Sequence, residues 1–421
     1  MGANWASGCD MHEVPRTRKT AAMVGGAKYG VFEESAMSAL LQLDHPRKMH
    51  AAVWAGEVLG DVIEEFDRDR WSAAAAFGIQ GLTAPVELGG SGASTVDALL
   101  TFEGLGLGAR DNGTVFALSA QVFSMQSALL SAGSNEQLRR WVPELCAGRA
   151  IGAFAMSEPE VGSDTSSIST RATPLSNGGF RLDGCKTWVT LGSECDVIIV
   201  FATTDPALGR WGLTAFLIDT DRPGVHRGEV IPKVGLQSCP FATITFENCL
   251  VGDDEVLGTP GAGGAIFSEA VNAERAFLYA AQLGATERMI DAGVRRAQTR
   301  TQFGTSIGSF QAVAHRIVEM KLRHEASRLL IYKTAILSDL DRDVTMAASL
   351  AKLQTSESAV LSVVDAMQLF GAEGYTKAAG IGVELLDAVG GLSYSGTSDI
   401  QRNIVASMLG VDRPARRKDT A

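Results

Sequence analysis

Two short stretches of the chain carry residue types suited to holding a flat, phosphate-bearing ligand. Met156-Ser157-Glu158-Pro159-Glu160-Val161-Gly162-Ser163-Asp164 combines hydroxyls, a proline-fixed turn and a Gly-Ser pair, so backbone N–H groups and hydroxyls crowd one loop. Such a loop can hold phosphate oxygens and the polar edge of a ring; it can equally be an ordinary turn between strands. Leu182-Asp183-Gly184-Cys185-Lys186-Thr187-Trp188-Val189-Thr190 follows, and its Asp-Gly pair is a hairpin signal. Trp188 and Thr190, two apart on a strand, would share one face, an apolar wall beside a hydroxyl donor. A planar ring needs that pairing, although a lone strand Trp is more often plain core.

The elements that must position these stretches follow from periodicity. From residue 40 to 148 the pattern is helical. Val53, Leu59, Val62 and Ile63 recur at helical spacing within 50–66, and 96–107 and 121–131 continue the pattern. Ser134-Asn135-Glu136 offers a cap before 137–145, and the Gly-rich run 85–92 breaks the helices. After Ile151 short β-prone runs take over at 180–183, 188–190, 197–202, 214–218 and 242–246. Together they make a segment of roughly 110 residues, a plausible domain on size. Helical periodicity returns at Ile266 and persists to Leu409 through 275–298, 311–338, 345–370 and 399–409. The reading is an α+β chain with an N-terminal extension (1–34), a helical domain (35–150), a middle β domain of barrel or sandwich type (151–262) and a C-terminal helical bundle (263–415).

Composition narrows the function. A net charge of −11 over 421 residues argues against general nucleic-acid binding, which calls for a basic stripe. The six cysteines, at 9, 146, 185, 195, 239 and 249, form no CxxC pair, which reads as reduced thiols and a cytoplasmic setting. The histidines show no HExxH or paired spacing, so no metal site is expected. His315 and His324 read as structural, and Asp253-Asp254-Glu255 as a solvated loop. No apolar run approaches the roughly 20 residues of a membrane span. The first thirty residues lack signal-peptide order, and Ala6 stands where a myristoylation motif wants Ser or Thr. The basic cluster 413–418 reads as a solvated tail.

The two ligand-suited stretches together resemble the acyl-CoA dehydrogenase pattern (T/S)EPxxGSD…GxKxW(I/V)T. The resemblance extends over about residues 75–412. Residues 85–92 resemble the family's VPxxxGGxG loop. Arg300-Thr301-Gln302-Phe303-Gly304 with Phe310-Gln311 resembles RxxFG…FQ. Gln368-Leu369-Phe370-Gly371-Ala372-Glu373-Gly374-Tyr375 resembles QxxGGxGY, and Gly396-Thr397-Ser398-Asp399-Ile400-Gln401-Arg402 resembles GTSEIQR. Each piece is weak alone; six in the family's order are specific.

The resemblance implies a helical–β–helical fold, bound FAD and α,β-dehydrogenation of an acyl thioester. It implies that Met156 and Ser157 meet the flavin ring and that Ser163 meets its pyrophosphate or the substrate's pantetheine. Trp188 and Thr190 flank the ring. Arg300, Gln302, Phe303, Gln311, Gln368, Gly371 and Ala372 reach FAD from a neighbouring subunit, so a dimer or tetramer is implied. Arg300 suits diphosphate, as a planar permanent cation. Thr397 and Asp399 complete the adenosine side, and Gly396, Asn272 and Arg275 approach the substrate. Ala372 and Asp399 depart mildly from the family's Gly and Glu.

Removing an α proton needs a carboxylate and a polarised thioester carbonyl. The family's commonest base is the Glu of a YEGT-type motif; here the stretch is Tyr394-Ser395-Gly396-Thr397, and a serine hydroxyl has no useful basicity near neutral pH. Isovaleryl- and long-chain members carry the base instead at a helical Glu-Arg, with a small residue at the usual position. Glu274-Arg275 with Ser395 shows both halves of that swap, and Glu274 is the expected base. The carrier is CoA or an acyl carrier protein, and electrons leave to an electron-transfer flavoprotein or to oxygen. Two alternatives stay open: a monooxygenase of the same fold, and a flavin and thioester binder without turnover.

Overall fold

The computed structural model describes residue 42 and residues 44–411; the N-terminal extension, Cys9 and the basic cluster 413–418 lie outside them. Helices come first: α1 (Pro46–Val58), α2 (Arg68–Phe77), α3 (Thr95–Gly108), α4 (Asn112–Ala132) and α5 (Asn135–Cys146). The first helix stops at Val58, not at Phe66 as its periodicity suggests: Leu59 caps it and Gly60, a poor helix former, follows, although Val62, Ile63 and Phe66 continue the apolar pattern. Ser134 caps α5 in a reciprocal capping box with Gln137.

Within α3, alternate glycines set the packing. A Cβ at Gly104 or Gly108 would collide with carbonyls of α1, and one at Gly106 with the Ala281 carbonyl. Three helices therefore approach backbone to backbone. Helix α4 is apolar and 21 residues long, enough by length and composition to cross a membrane, contrary to the expectation that no run is that long. It is 72% buried inside the fold, so its hydropathy is that of a core helix. Its middle, Gln121–Gln126, is wound as a π-helix.

The middle segment is a single eight-stranded sheet. Its strands are β1 (Gly152–Ala155), β2 (Arg171–Pro174), β3 (Phe180–Thr190), β4 (Val197–Thr203), β5 (Leu213–Asp219), β6 (Val225–Val230), β7 (Phe241–Val251) and β8 (Val256–Leu257). They run in the order β6-β7-β3-β2-β4-β5-β8, with β1 parallel to β4. Asp183-Gly184 makes no hairpin. It lies inside β3 at a shift of register, with Asn248 N donating to Asp183 Oδ1 at 2.8 Å. The bulge absorbs the turn-forming conformation of Gly184, and the strand continues.

Strand β4 is buried along its whole length. Val197, Ile199 and Phe201 join one apolar core, and Ile198, Val200 and Ala202 the other. Because alternate residues point to opposite faces, a strand covered on both sides reads as a continuous apolar run.

The C-terminal half contains α6 (Gly263–Phe277), α7 (Ala280–Thr299), the small strands β9 (Thr301–Gln302) and β10 (Thr305–Ser306), α8 (Gln311–Asp339), α9 (Thr345–Phe370), α10 (Ile381–Gly390) and α11 (Ser398–Leu409). The run read as one helix over 275–298 is divided at Leu278-Tyr279, where both side chains turn into the core. All described cysteines are free thiols.

A buried carboxylate ties the first helices to the last. Glu103 of α3 is fully buried and meets Lys48 of α1 at 3.0 Å, Arg328 Nε of α8 at 2.9 Å and the Tyr332 hydroxyl at 2.6 Å. Burial opposes its charge, but the Arg328 and Lys48 cations and these hydrogen bonds hold its pKa below the ordinary value. Glu287 and His324 lie close enough to join Glu103 around an ion. The Lys48 ammonium, 2.5 Å from Glu287, already supplies the cation there. Burial pulls His324 down to about 4, so it is neutral.

Glu103→Leu leaves Lys48 and Arg328 desolvated without their shared anion. Chemical denaturation should show a loss of about 3–5 kcal/mol; a loss below about 1 kcal/mol would show that the cations find other compensation. Because Glu103 is more acidic folded than unfolded, its contribution is present above the unfolded carboxylate pKa and fades as pH falls through the folded one.

Candidate active site

One cavity of about 660 Å³ opens where the sheet meets α4, α6 and the turn before α11. Lining it are Met156, Ser157 and Ser163 of the first ligand-suited loop and Trp188 and Thr190 of the second. Glu274 and Arg275 of α6 and Ser395, Gly396 and Thr397 of the turn complete it.

The two loops are joined by a buried ion pair. Lys186 Nζ lies 2.8 Å from Glu158 Oε1 and donates to the Met156 carbonyl at 3.0 Å. Glu158 also accepts from Ser169 N, the Ser169 hydroxyl and Thr170 N at 2.7, 2.5 and 2.9 Å. Burial would raise the Glu158 pKa, yet the Lys186 charge and these donors hold it at about 2. Burial lowers Lys186 to about 8 despite its partner, so the pair is ionised at neutral pH. Thr187 N closes the junction on the Ser157 carbonyl at 3.0 Å.

Just beyond, the pairing of β3 with β7 slips between Lys186 and Val189, and Trp188 adopts a left-handed φ of 57°. Trp188 and Thr190 thus both reach the cavity, through a bulge where plain alternation was expected. The indole is 57% exposed, an apolar face turned into open space.

Glu274 stands in the last turn of α6 and accepts a hydrogen bond from the Ser395 hydroxyl, 2.7 Å from its Oε1. The carboxylate is deep in the protein, yet its residue is only partly covered because it borders the cavity. Burial raises its pKa; Ser395, Ser124 and the Arg275 charge pull the other way without cancelling the rise. The turn carrying Ser395 is held rigidly: Ser395 and Gly396 both have positive φ, and the buried Gln401 Nε2 donates to their carbonyls at 3.1 and 3.0 Å. Tyr394 stacks on Tyr279, whose hydroxyl donates to the Gly391 carbonyl at 2.7 Å. Thr397 caps α11 through Ile400 N.

Other expected site residues lie elsewhere. Asn272 does not line the cavity: its amide donates to Thr345 Oγ1 at 3.1 Å and accepts from Arg275 Nη1 at 3.1 Å, so it orients Arg275. Arg275 Nε is buried without a partner among the described residues. Asp399 is exposed and pairs with Arg402 at 3.1 Å. Arg300, Gln302 and Gln311 are exposed, with Phe303 at 93% on the tip of the β9–β10 turn. Gln368 bonds Arg316, and Gly371 and Ala372 follow at the exposed end of α9. None of these seven borders the cavity of its own chain.

Lys186, Gln401, Tyr279, Tyr394 and Ser124 were not singled out in the sequence. Lys186 was signalled by its place between Gly184 and Trp188; nothing in the sequence announced Ser124, which shares the cavity wall with Glu274 from the π-helical turn of α4.

An apolar wall, hydroxyls at its edge, a cation with an unpartnered donor and a carboxylate of raised basicity suit a planar redox ring together with a thioester. Comparison with known proteins agrees. Residues 51–149, 153–249 and 261–410 match the N-terminal, middle and C-terminal domain models of acyl-CoA dehydrogenase. An L-prolyl-[peptidyl-carrier protein] dehydrogenase of Pseudomonas fluorescens is 36% identical over 373 residues, 87% of this chain and 98% of that protein. The crystal structure of the prolyl acyl carrier protein oxidase AnaB superposes with a TM-score of 0.82 at 36% identity, covering 90% of this chain and 97% of that one. A structure of PigA with FAD and proline gives 0.81 at 33%, covering 93% and 100%.

The chain belongs to the acyl-CoA dehydrogenase family. It is an FAD-dependent oxidoreductase acting on an acyl thioester borne by CoA or a carrier protein.

Lys186→Met breaks the junction between the two loops and strands Glu158 in the interior. The purified variant should retain substantially less FAD, read from the flavin-to-protein absorbance ratio, and unfold about 3–5 kcal/mol more easily. Full flavin occupancy at wild-type stability would show that the junction does not shape the site.

Proposed function

We propose that Glu274 is the base of an α,β-dehydrogenation whose substrate is a prolyl-type aminoacyl group on a carrier-protein thioester. The observation that carries this reading is the Glu274 carboxylate, desolvated at the cavity wall and steadied by the hydroxyl of Ser395, the residue standing where a loop base would be. The nature of the relatives supports the acyl group and its carrier.

In this reading Met156, Ser157, Trp188 and Thr190 would hold the flavin ring, which when bound would supply the hydride acceptor for Cβ. Glu274 removes the proton from Cα, and its raised proton affinity brings it nearer that task than an exposed carboxylate would be. Ser395 keeps one carboxylate oxygen engaged and leaves the other for the proton. Arg275, braced by Asn272, carries positive charge to the cavity wall for the carbonyl or phosphate end of the substrate. Gly396, with its positive φ, leaves room beside the carboxylate.

The Arg300, Gln302, Phe303, Gln311 and Gln368–Ala372 groups, exposed and remote from their own cavity, would complete the FAD site of a second copy. The assembly is then a homodimer or a dimer of dimers. Electrons pass to an electron-transfer flavoprotein or to oxygen, and the free thiols fit a cytoplasmic setting.

Anaerobic titration of the FAD-loaded protein with prolyl-carrier thioester and with acyl-CoAs, following oxidised-flavin absorbance, tests the substrate. Bleaching by the prolyl thioester is expected. Bleaching by CoA esters alone would overturn the carrier and acyl assignment. Admitting air or electron-transfer flavoprotein then identifies the acceptor by recovery of colour.

Glu274→Gln should keep its flavin and lose about 10²–10⁴-fold in kcat; near-normal turnover would move the base elsewhere. Glu274 must be ionised to act, so the acid limb of kcat/KM should lie above the ordinary glutamate value. Ser395→Ala removes a bond that favours the ion and should push that limb higher; an unmoved limb would mean that another group titrates.

Arg300→Ala should weaken FAD retention and loosen the assembly in light scattering. A flavin-saturated oligomer of unchanged mass would overturn the cross-subunit role.

A further inference from the structure

The acyl end of the cavity contains a polar group that the dehydrogenation does not require. Gln121 opens the π-helical stretch of α4, Gln121–Gln126, and is completely buried while lining the cavity. Its Oε1 accepts the Gly152 N–H at 2.8 Å. Gly152 begins β1 and lines the same cavity. A backbone N–H can only donate, so this bond fixes which way round the amide sits. The Nε2 group is left as the free end, and among the described residues no atom accepts from it.

An unsatisfied buried donor is costly, and native structures seldom tolerate one without a use. Its position suggests the use. Ser124, one turn along the same stretch, lines the cavity together with Glu274, so Gln121 lies on the segment of α4 that faces the carboxylate proposed as the base. The neighbouring cavity wall is apolar, with Phe116 and Ala120 of α4 and Phe154 of β1. A hydrocarbon acyl group would fill such a space and leave the amide unpartnered. An acyl group with a hydrogen-bond acceptor close to Cα would satisfy it.

We infer that Gln121 is a specificity-determining residue, whose Nε2 donates to an acceptor atom of the acyl group and selects heteroatom-bearing acyl groups over all-carbon ones of equal size. The inference rests on the prolyl reading above. For a prolyl group the acceptor is the lone pair of the ring nitrogen, so the amine is taken up neutral. The discrimination arises because a carbocycle strands the amide donor, whereas the amine pairs it.

The test compares prolyl-carrier thioester with its carbocyclic isostere, cyclopentanecarbonyl-carrier thioester, in the wild-type FAD enzyme and in Gln121→Met. Wild type should favour the prolyl substrate in kcat/KM by roughly 10- to 100-fold. In Gln121→Met the ratio should collapse toward one, chiefly by loss on the prolyl side, with flavin absorbance intact. Gln121→Glu serves as a second variant if the methionine variant folds poorly, because it keeps the acceptor for Gly152 N and has no donor when ionised; the same collapse is expected. A wild-type preference that survives in the folded variants overturns the role of Gln121 and leaves the prolyl reading standing. A wild type that prefers the carbocycle, or oxidises neither thioester, overturns the prolyl reading and this inference with it.

Discussion

The structure depends on a single buried carboxylate between its two helical halves. Glu103 can remain ionised there only because Lys48, Arg328 and Tyr332 converge on it from two other helices. They can converge only because glycines in α3 let its backbone lie against α1 and α7. Removing Glu103 takes the shared counter-charge from two buried cations at once, which is why such clusters tolerate so little. Helix α7 continues from α6, so the same clamp fixes the helix on which Glu274 stands. The ion pair of Lys186 and Glu158 repeats the device on the sheet side, where it sets the height of the Met156 loop against Trp188. A desolvated cluster and a desolvated pair thus brace the two sides of the fold between which the cavity lies.

What the sequence disclosed and what it concealed divide along physical lines. Long periodic helices such as Thr345–Phe370 were legible because propensity, pattern and burial agree. The apolar run 197–202 announced a strand but not that it separates two cores, since continuous burial erases alternation. Asp183-Gly184 misled because turn chemistry also suits a bulge, and the choice belongs to Asn248, which is distant in the chain. The π-helical turn was invisible, since Gln121 and Ser124 look like surface polar residues until the cavity is known. Glu274 was legible through its pairing with a missing loop carboxylate, yet its partner Ser395 entered the reading as an absence rather than as a donor.

Motif residues and cavity residues overlap only in part here. Trp188, Thr190, Gly396 and Thr397 come together within one chain, whereas Arg300, Phe303 and Gln368 do not. An aromatic ring at 93% exposure on a left-handed turn meets its own subunit only edge-on, against Phe310, among the described residues. Asn272 shows a milder form of the same lesson. Its two hydrogen bonds are internal, so its influence on any ligand passes through the guanidinium it steadies.

Positions 395 and 274 differ in the field that a carboxylate placed there would experience. Position 395 lies just before the Thr397 cap of α11, at the partly positive amino end of a helix, where peptide dipoles stabilise an anion. Glu274 lies in the final turn of α6, at the partly negative carboxyl end, where the dipoles oppose one. Transferring the carboxylate from loop to helix is therefore more than a change of address. It exchanges a backbone that draws the proton off for one that returns it, which adds to burial in raising the proton affinity of the same side chain.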